Sequence, residues 1–324
     1  MNTPVLIYMD QFVWIELARR HLNPSQQPSR DDPARTLLLA IEGGDVVCPL
    51  SSTHVIETGR RISIRSRRDV IRTMVTFSRG WFLAPGTFLT SQEIRHSLAR
   101  LFGAPAPLPI VFLGRGLPFA FGRSGQLHKD LDMPVEKAEL FELVLDGPKA
   151  LFHLLGGTDN AYIEPTRSAL LDHAHSVTGQ EEQDRGFQKR FSEAERKRAY
   201  AAKLTLALHD ELATELDAIG RTMAEFLALG HEKLMEFWAS VPTADVEIQL
   251  VTARNKQWSR RIDENDILDI DFLTTAIPYC DLVLTEAFWN QLSSQSGLPE
   301  KYGTTMATGL DSITDFLHQL QHPR

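Results

Sequence analysis

The 324-residue sequence predicts an α/β fold, a parallel β-sheet flanked by helices with a large, mainly α-helical insertion. Three short, almost continuously apolar runs carry the sheet: Pro4 to Met9 (PVLIYM), Asp45 to Leu50 (DVVCPL) and Leu282 to Leu284 after Asp281. Runs of this kind suit strands buried on both faces, as in parallel sheets. Between Trp81 and Val246 the sequence changes to helical segments separated by loops rich in Gly and Pro, which defines the insertion. The expected boundaries are 1–85 for the first half of the α/β layer, 86–240 for the helical insertion or cap and 241–324 for the second half.

Taken in order, the first strand ends at Asp10 and FVWIELARR follows as a helix. Asp10 therefore stands at a strand-to-helix turn, on the carboxyl edge where α/β proteins place their ligands, although an Asp there also serves as a helix cap. Glu16 is expected to pair with Arg20 at i,i+4. A polar loop (Asn23 to Asp32) leads to a helix over Ala34 to Glu42, stopped by Gly43 and Gly44. The second strand is followed by Ser51, Ser52 and Thr53, then by a helix carrying Glu57, so the strand-turn-helix-acid pattern repeats. Beyond Glu57, Arg61, Arg65, Arg68 and Arg72 follow i, i+4, i+7, i+11 spacing. On one continuous helix they form a guanidinium stripe, either a solvated face or a track for a phosphate backbone.

Trp81 to Ala84 reads as a third strand. Helices are expected near Ser91 to Leu101, Val135 to Leu145, Thr166 to His175 and across Ser192 to Leu229. His173 and His175 point apart at i,i+2 on a helix and lack Cys partners or an obvious acidic cluster, which weighs against a metal site there. Val246 to Val251 leads into the basic Arg254, Lys256, Arg260 and Arg261. A helix from Asn265 or Asp266 to about Ile277 puts Ile270, Leu273 and Ile277 on the core side. Asp269 and Asp271 lie about 200° apart around it, so they cannot face one site. Thr285 and Glu286 close the strand Leu282 to Leu284, and a strand at Thr304 to Ala307 and a helix from Leu310 to Leu320 complete the layer.

Composition narrows the class. Hydrophobic residues make up 43% and charged ones 23%, the mix of a globular protein. The sequence has no run of about 18 apolar residues and no signal-peptide pattern, so no membrane role is expected. Two cysteines, Cys48 and Cys280, are too few for a disulfide framework or a cysteine zinc site, which points to a reducing, cytoplasmic setting. A formal charge of −8 argues against bulk electrostatic binding of nucleic acid and leaves a local basic surface open.

Three pieces resemble the PIN (PilT N-terminal) ribonuclease family. YMDQFVWIELA is similar to its first strand, catalytic Asp and following helix; VVCPLSSTHVIETGRR to its second strand and the helix bearing its Glu; DIDFLTTAIPYCDLVLTE to its third acid, a later Ala and the Asp-apolar-Thr strand. The resemblance implies a PIN-like sheet and a Mg²⁺- or Mn²⁺-dependent endoribonuclease, a toxin or defence effector among the roles of that family. Its acids would be Asp10, Glu57 and Asp269, with Ala276 as the small residue seven later. The family's further Asp falls here on Ala287, which leaves Glu286 or Asp281 for the fourth acid.

Converging carboxylates are tolerable when a divalent cation neutralises them, and oxygen ligands with retained water suit Mg²⁺ or Mn²⁺. The expected metal ligands are Asp10, Glu57, Asp269 and Asp281, with Glu286 as a further catalytic acid and Thr285 orienting water or phosphate. Arg61, Arg65, Arg68, Arg72, Arg254, Lys256 and Arg260 would guide RNA to the acids. An antitoxin or other regulatory protein and a homodimer are partners by analogy. Two alternatives stand beside this reading: a PIN-like module that has lost catalysis and binds RNA or protein, and another acid-and-metal enzyme such as a phosphatase, which lacks a phosphate-cradling Gly loop here.

Overall fold

The computed structural model describes residues 3–22, 32–130, 132–147, 149–156 and 177–321. The chain is α/β, and its centre is a four-stranded parallel sheet in the order β2-β1-β5-β6. The strands are β1 (Val5–Met9), β2 (Val46–Val47), β5 (Leu282–Leu284) and β6 (Thr305–Ala307). Their registers run Val5 opposite Val46, Ile7 opposite Leu282 and Leu282 opposite Thr305. Tyr8, Met9 and all three residues of β5 are fully buried, which is why these runs lack polar alternation. A short antiparallel pair, β3 (Trp81–Leu83) and β4 (Leu113–Arg115), follows beside Leu50, which bridges to Phe82.

Two compact units divide the chain. One comprises Met1–Pro85, Phe112–Leu170 and Tyr279–Arg324; the other comprises Gly86–Val111 and Leu171–Pro278. The break after residue 85 falls where the sequence places it, but the division differs elsewhere. Residues 112 to 156 belong with the sheet, whereas 241–278 belong with the helical unit.

In the first unit, α1 (Gln11–Leu22) packs on α4 (Ile64–Ser78), and α2 (Pro33–Gly43) and α3 (Ser52–Gly59) lie between them in sequence. Asp32 caps α2 by accepting the Ala34 N–H, and Gly44 ends it at φ 80°, a conformation that favours glycine. The Glu16–Arg20 ion pair forms at 2.7 Å. The helix expected to run from Glu57 to Arg72 does not exist as one piece. It stops at Gly59, and Ser63 restarts it by accepting the Ser66 N–H, so Arg61 lies in the break.

The second unit is helical. It contains α5 (Gly86–Phe102), Glu193–Ala207, His209–Ala218, Met223–Leu227, Gly230–Trp238, Pro242–Asn255 and Glu264–Tyr279. Val246 to Val251 lies inside one of these helices, buried at Val246, Ile248, Leu250 and Val251. Trp238, Phe237 and Phe226 form an aromatic cluster with edge-to-face contacts. The expected helix over Thr166 to His175, with His173 and His175, lies outside the described residues. No helix among the described residues is long and apolar enough to cross a membrane.

Candidate acidic site at the carboxyl edge of the sheet

The connection from β1 to β2 and the position of β5 on the other side of β1 make a topological switch point, the place at the carboxyl ends of parallel strands where α/β proteins bind their ligands. Asp10 occupies that point. Its N–H donates to Leu284 O at 2.9 Å, which ties it to β5, and its own carbonyl accepts the Val13 and Trp14 N–H groups at the start of α1. Its Oδ1 accepts the Gln11 N–H at 2.5 Å. Asp10 thus caps α1 and also belongs to a group of acids.

That group is visible in its protonation. Asp10 is 5% exposed, and its pKa rises from the ordinary 3.8 to about 7. Burial is the main cause, followed by the nearby Glu57 and Glu286 carboxylates, while the Gln11 N–H and the Thr285 hydroxyl act in the opposite direction. Glu57 reaches the site from α3, and Thr285 and Glu286 from the end of β5. Thr285 is fully buried; its hydroxyl faces Asp10 but makes no hydrogen bond of ordinary geometry. Gln11 Oε1 is likewise buried without a hydrogen-bond partner, while its Nε2 donates to Thr58 Oγ1 on α3 at 3.1 Å.

One residue that sequence reasoning passed over holds this edge together. His54, fully enclosed, accepts the Ser51 N–H on Nδ1 at 2.9 Å and donates from Nε2 to Met9 O at 2.8 Å. The two bonds fix its tautomer and tie α3, one turn before Glu57, to β1, one residue before Asp10. Burial lowers its pKa to about 4, so it stays neutral. Tyr8 and Ser51 extend the network through a 2.9 Å hydroxyl contact. The available signal was a His three residues after a Ser at a helix start, in the place where a capping box carries Glu or Gln.

One expectation about the acids changes. Asp281 lies at the amino end of β5, where its Oδ2 accepts the Leu6 N–H at 2.7 Å and its N–H donates to Leu6 O at 2.9 Å. It locks the strand pair at the opposite edge from Asp10, so Glu286 and not Asp281 accompanies Asp10. Asp269 is part of the helical unit, where the pKa of Arg260 is raised chiefly by its bond to Asp266, with Asp269 a lesser contributor. Asp271 does face elsewhere, as helical phase requires. It lines a cavity of about 270 Å³ in that unit together with Glu181, Tyr200 and the half-buried Glu247, whose pKa is raised by desolvation.

The proposed RNA-binding cations divide as well. Arg254 is 1% exposed, paired with Glu181 and bonded to the Asn255 side chain. Arg260 makes a two-pronged bond to Asp266 at 2.5 and 2.6 Å, and Lys256 pairs with Glu193. Arg254 is inaccessible, and the other two hold their own unit's acids. Arg68 donates to Gly156 O, and only Arg61, Arg65 and Arg72 of the predicted stripe have no acid or backbone partner among the described residues.

The oxygen-only donor set, the mutual repulsion of Asp10, Glu57 and Glu286, and two orphaned buried oxygens fit a hydrated hard cation. Among the described residues, however, no group of three or more His, Cys, Asp or Glu is gathered so as to hold a metal ion. No family model, curated protein or solved structure matches the chain.

Proposed function

We propose that the chain is a metal-dependent, PIN-like endoribonuclease whose acid centre is Asp10 with Glu57 and Glu286. The observation that carries this reading is a buried aspartate at the switch point of a parallel sheet, with a pKa of about 7 and two carboxylates acting on it. Asp10 exchanges a proton at its carboxyl near neutral pH, the range in which a general acid or base works best. Glu57 and Glu286 hold negative charge beside it, and Thr285 presents a hydroxyl to orient water or phosphate. A bound Mg²⁺ or Mn²⁺ would supply Lewis acidity toward the scissile phosphate and lower the pKa of a bound water. Mg²⁺ is commonly held by one or two carboxylates, with water and substrate phosphate completing its shell, so a preformed cage of three ligands is not required.

A second reading, a PIN-like RNA- or protein-binding module without catalysis, draws on the lack of a gathered three-acid group among the described residues. Cleavage of single-stranded RNA with Mg²⁺ or Mn²⁺, its loss in EDTA and its loss in Asp10→Asn are the expected results. RNA binding with no cleavage under any divalent ion supports the second reading. Metal-independent cleavage, or full activity in Asp10→Asn, would refute the first.

A further inference from the structure

Between α1 and α4 the first unit has a second cleft, of about 210 Å³, lined by Arg19, Arg61 and Arg65 with Ser63 and Ser66 over an apolar floor that includes Ala18 and Val70. The break between α3 and α4 creates it, because Arg61 leaves the helical path and turns toward Arg19 of α1. Arg61 Nη2 donates to Ser66 Oγ at 2.7 Å, while its Nε is buried without a partner. Asp69 is the one acid on the cleft wall, and it makes no ion pair with these arginines among the described residues. Three arginines line this one cavity; Arg19 and Arg61 repel each other there and Arg61 leaves a buried N–H unused, both of which an anion between them would relieve. Their fork geometry matches phosphate oxygens.

We infer that this cleft binds one phosphate group of a single-stranded polynucleotide backbone, held by Arg19, Arg61 and Arg65. The inference rests on the ribonuclease reading for its macromolecule and adds the path of the strand. Asp10 precedes α1 and Arg19 lies in its last turns, so the phosphate sits roughly 13 Å along the helix from the acid, a few nucleotides away from the bond to be cut. A cluster around one phosphate also makes a distinct prediction about salt. Cations spread along a strand release counterions separately, whereas three arginines sharing one phosphate together contribute about one, near −0.7 in the logarithmic salt slope.

The test uses the full chain as Asp10→Asn, so that binding is read without cleavage, and fluorescence anisotropy with a single-stranded oligoribonucleotide across a salt series. Arg19→Ala and Arg61→Ala, singly and combined, are compared with Arg35→Ala, an exposed arginine of α2 outside the cleft. The expected result is a loss of about tenfold in the double variant, a slope change near 0.7 instead of twice that, partial rescue by Lys, and no effect of Arg35→Ala. Inorganic phosphate at millimolar concentration should compete. Arg19 is exposed, so Arg19→Ala alone keeps the test valid if replacing Arg61 disturbs folding. Unchanged affinity and slope in folded variants would overturn the inference, as would thermal protection by inorganic phosphate without any change in RNA binding. Absence of cleavage in the wild type with this binding pattern intact would count against the nuclease reading alone.

Discussion

Asp10→Asn should abolish activity and stabilise the protein in the same stroke, and the size of the second effect follows from the site. The folded-state pKa of Asp10 is raised from 3.8 to about 7, so the fold prefers its protonated form. Well below pH 3.8 the group is protonated in both states and contributes no penalty. As pH rises toward 7 the unfolded chain ionises first, and stability is lost until both states are ionised. A rise of this size corresponds to roughly 4 kcal/mol between the two limits. Asp10 is 5% exposed, which leaves little solvent screening to reduce it. Asparagine keeps an oxygen for the Gln11 N–H and carries no charge, so the variant escapes the penalty. Thermal unfolding in EDTA should show near-equal midpoints at pH 4 and a variant more stable by on the order of 5–10 °C at pH 8. The same pH dependence in both proteins, or a destabilised variant at pH 8, would refute the proposed burial and charge coupling of Asp10.

Two other predictions separate neighbouring roles. His54→Ala should cost on the order of 3 kcal/mol at pH 7, measured by denaturant titration, because it leaves the Met9 carbonyl and the Ser51 N–H without their partner in the core. Since the pKa of His54 is lowered to about 4, its contribution is present above pH 6.5 and lost as pH falls through 4; the variant should lack roughly 3 kcal/mol of that acid-side loss. Asp281→Ala should lower stability by about 1 kcal/mol through the lost Leu6 bond and leave cleavage per folded molecule unchanged, whereas Glu286→Gln should lower kcat at least tenfold with little effect on stability.

The strands and the principal acids were legible because their signals are local. Short apolar runs need no knowledge of distant partners, and β1, β3, β5 and β6 fall within a residue of their expected positions. The misassigned residues depend on what lies across space. Arg254 and Arg260 read as cations of a basic surface, yet each is neutralised by an acid, Glu181 some seventy residues away in sequence and Asp266 six residues away. Asp281 and Glu286 flank the same three-residue strand, and only the direction of that strand relative to β1 tells which edge each one serves. The arginine stripe failed for a local reason. Gly59 and Ser63 end one helix and start another, a stop and a cap that the 3.6-residue periodicity ran across.

The edge that carries Asp10 gathers negative charge around a buried carboxyl. The named charges acting on Asp10 are those of Glu57 and Glu286, both negative, and His54 is held neutral, so it contributes position and no countercharge. The dipole of α1 and the Gln11 N–H favour the anion, but burial and the two glutamates outweigh them, since the pKa still rises to about 7. Two events can relieve the site, uptake of a proton or binding of a cation, and they compete for the same carboxyl. On the proposed reading, cation affinity therefore weakens about tenfold per pH unit below 7 and levels off above it, and the cation stabilises the wild type most at the pH where Asp10→Asn shows its greatest advantage.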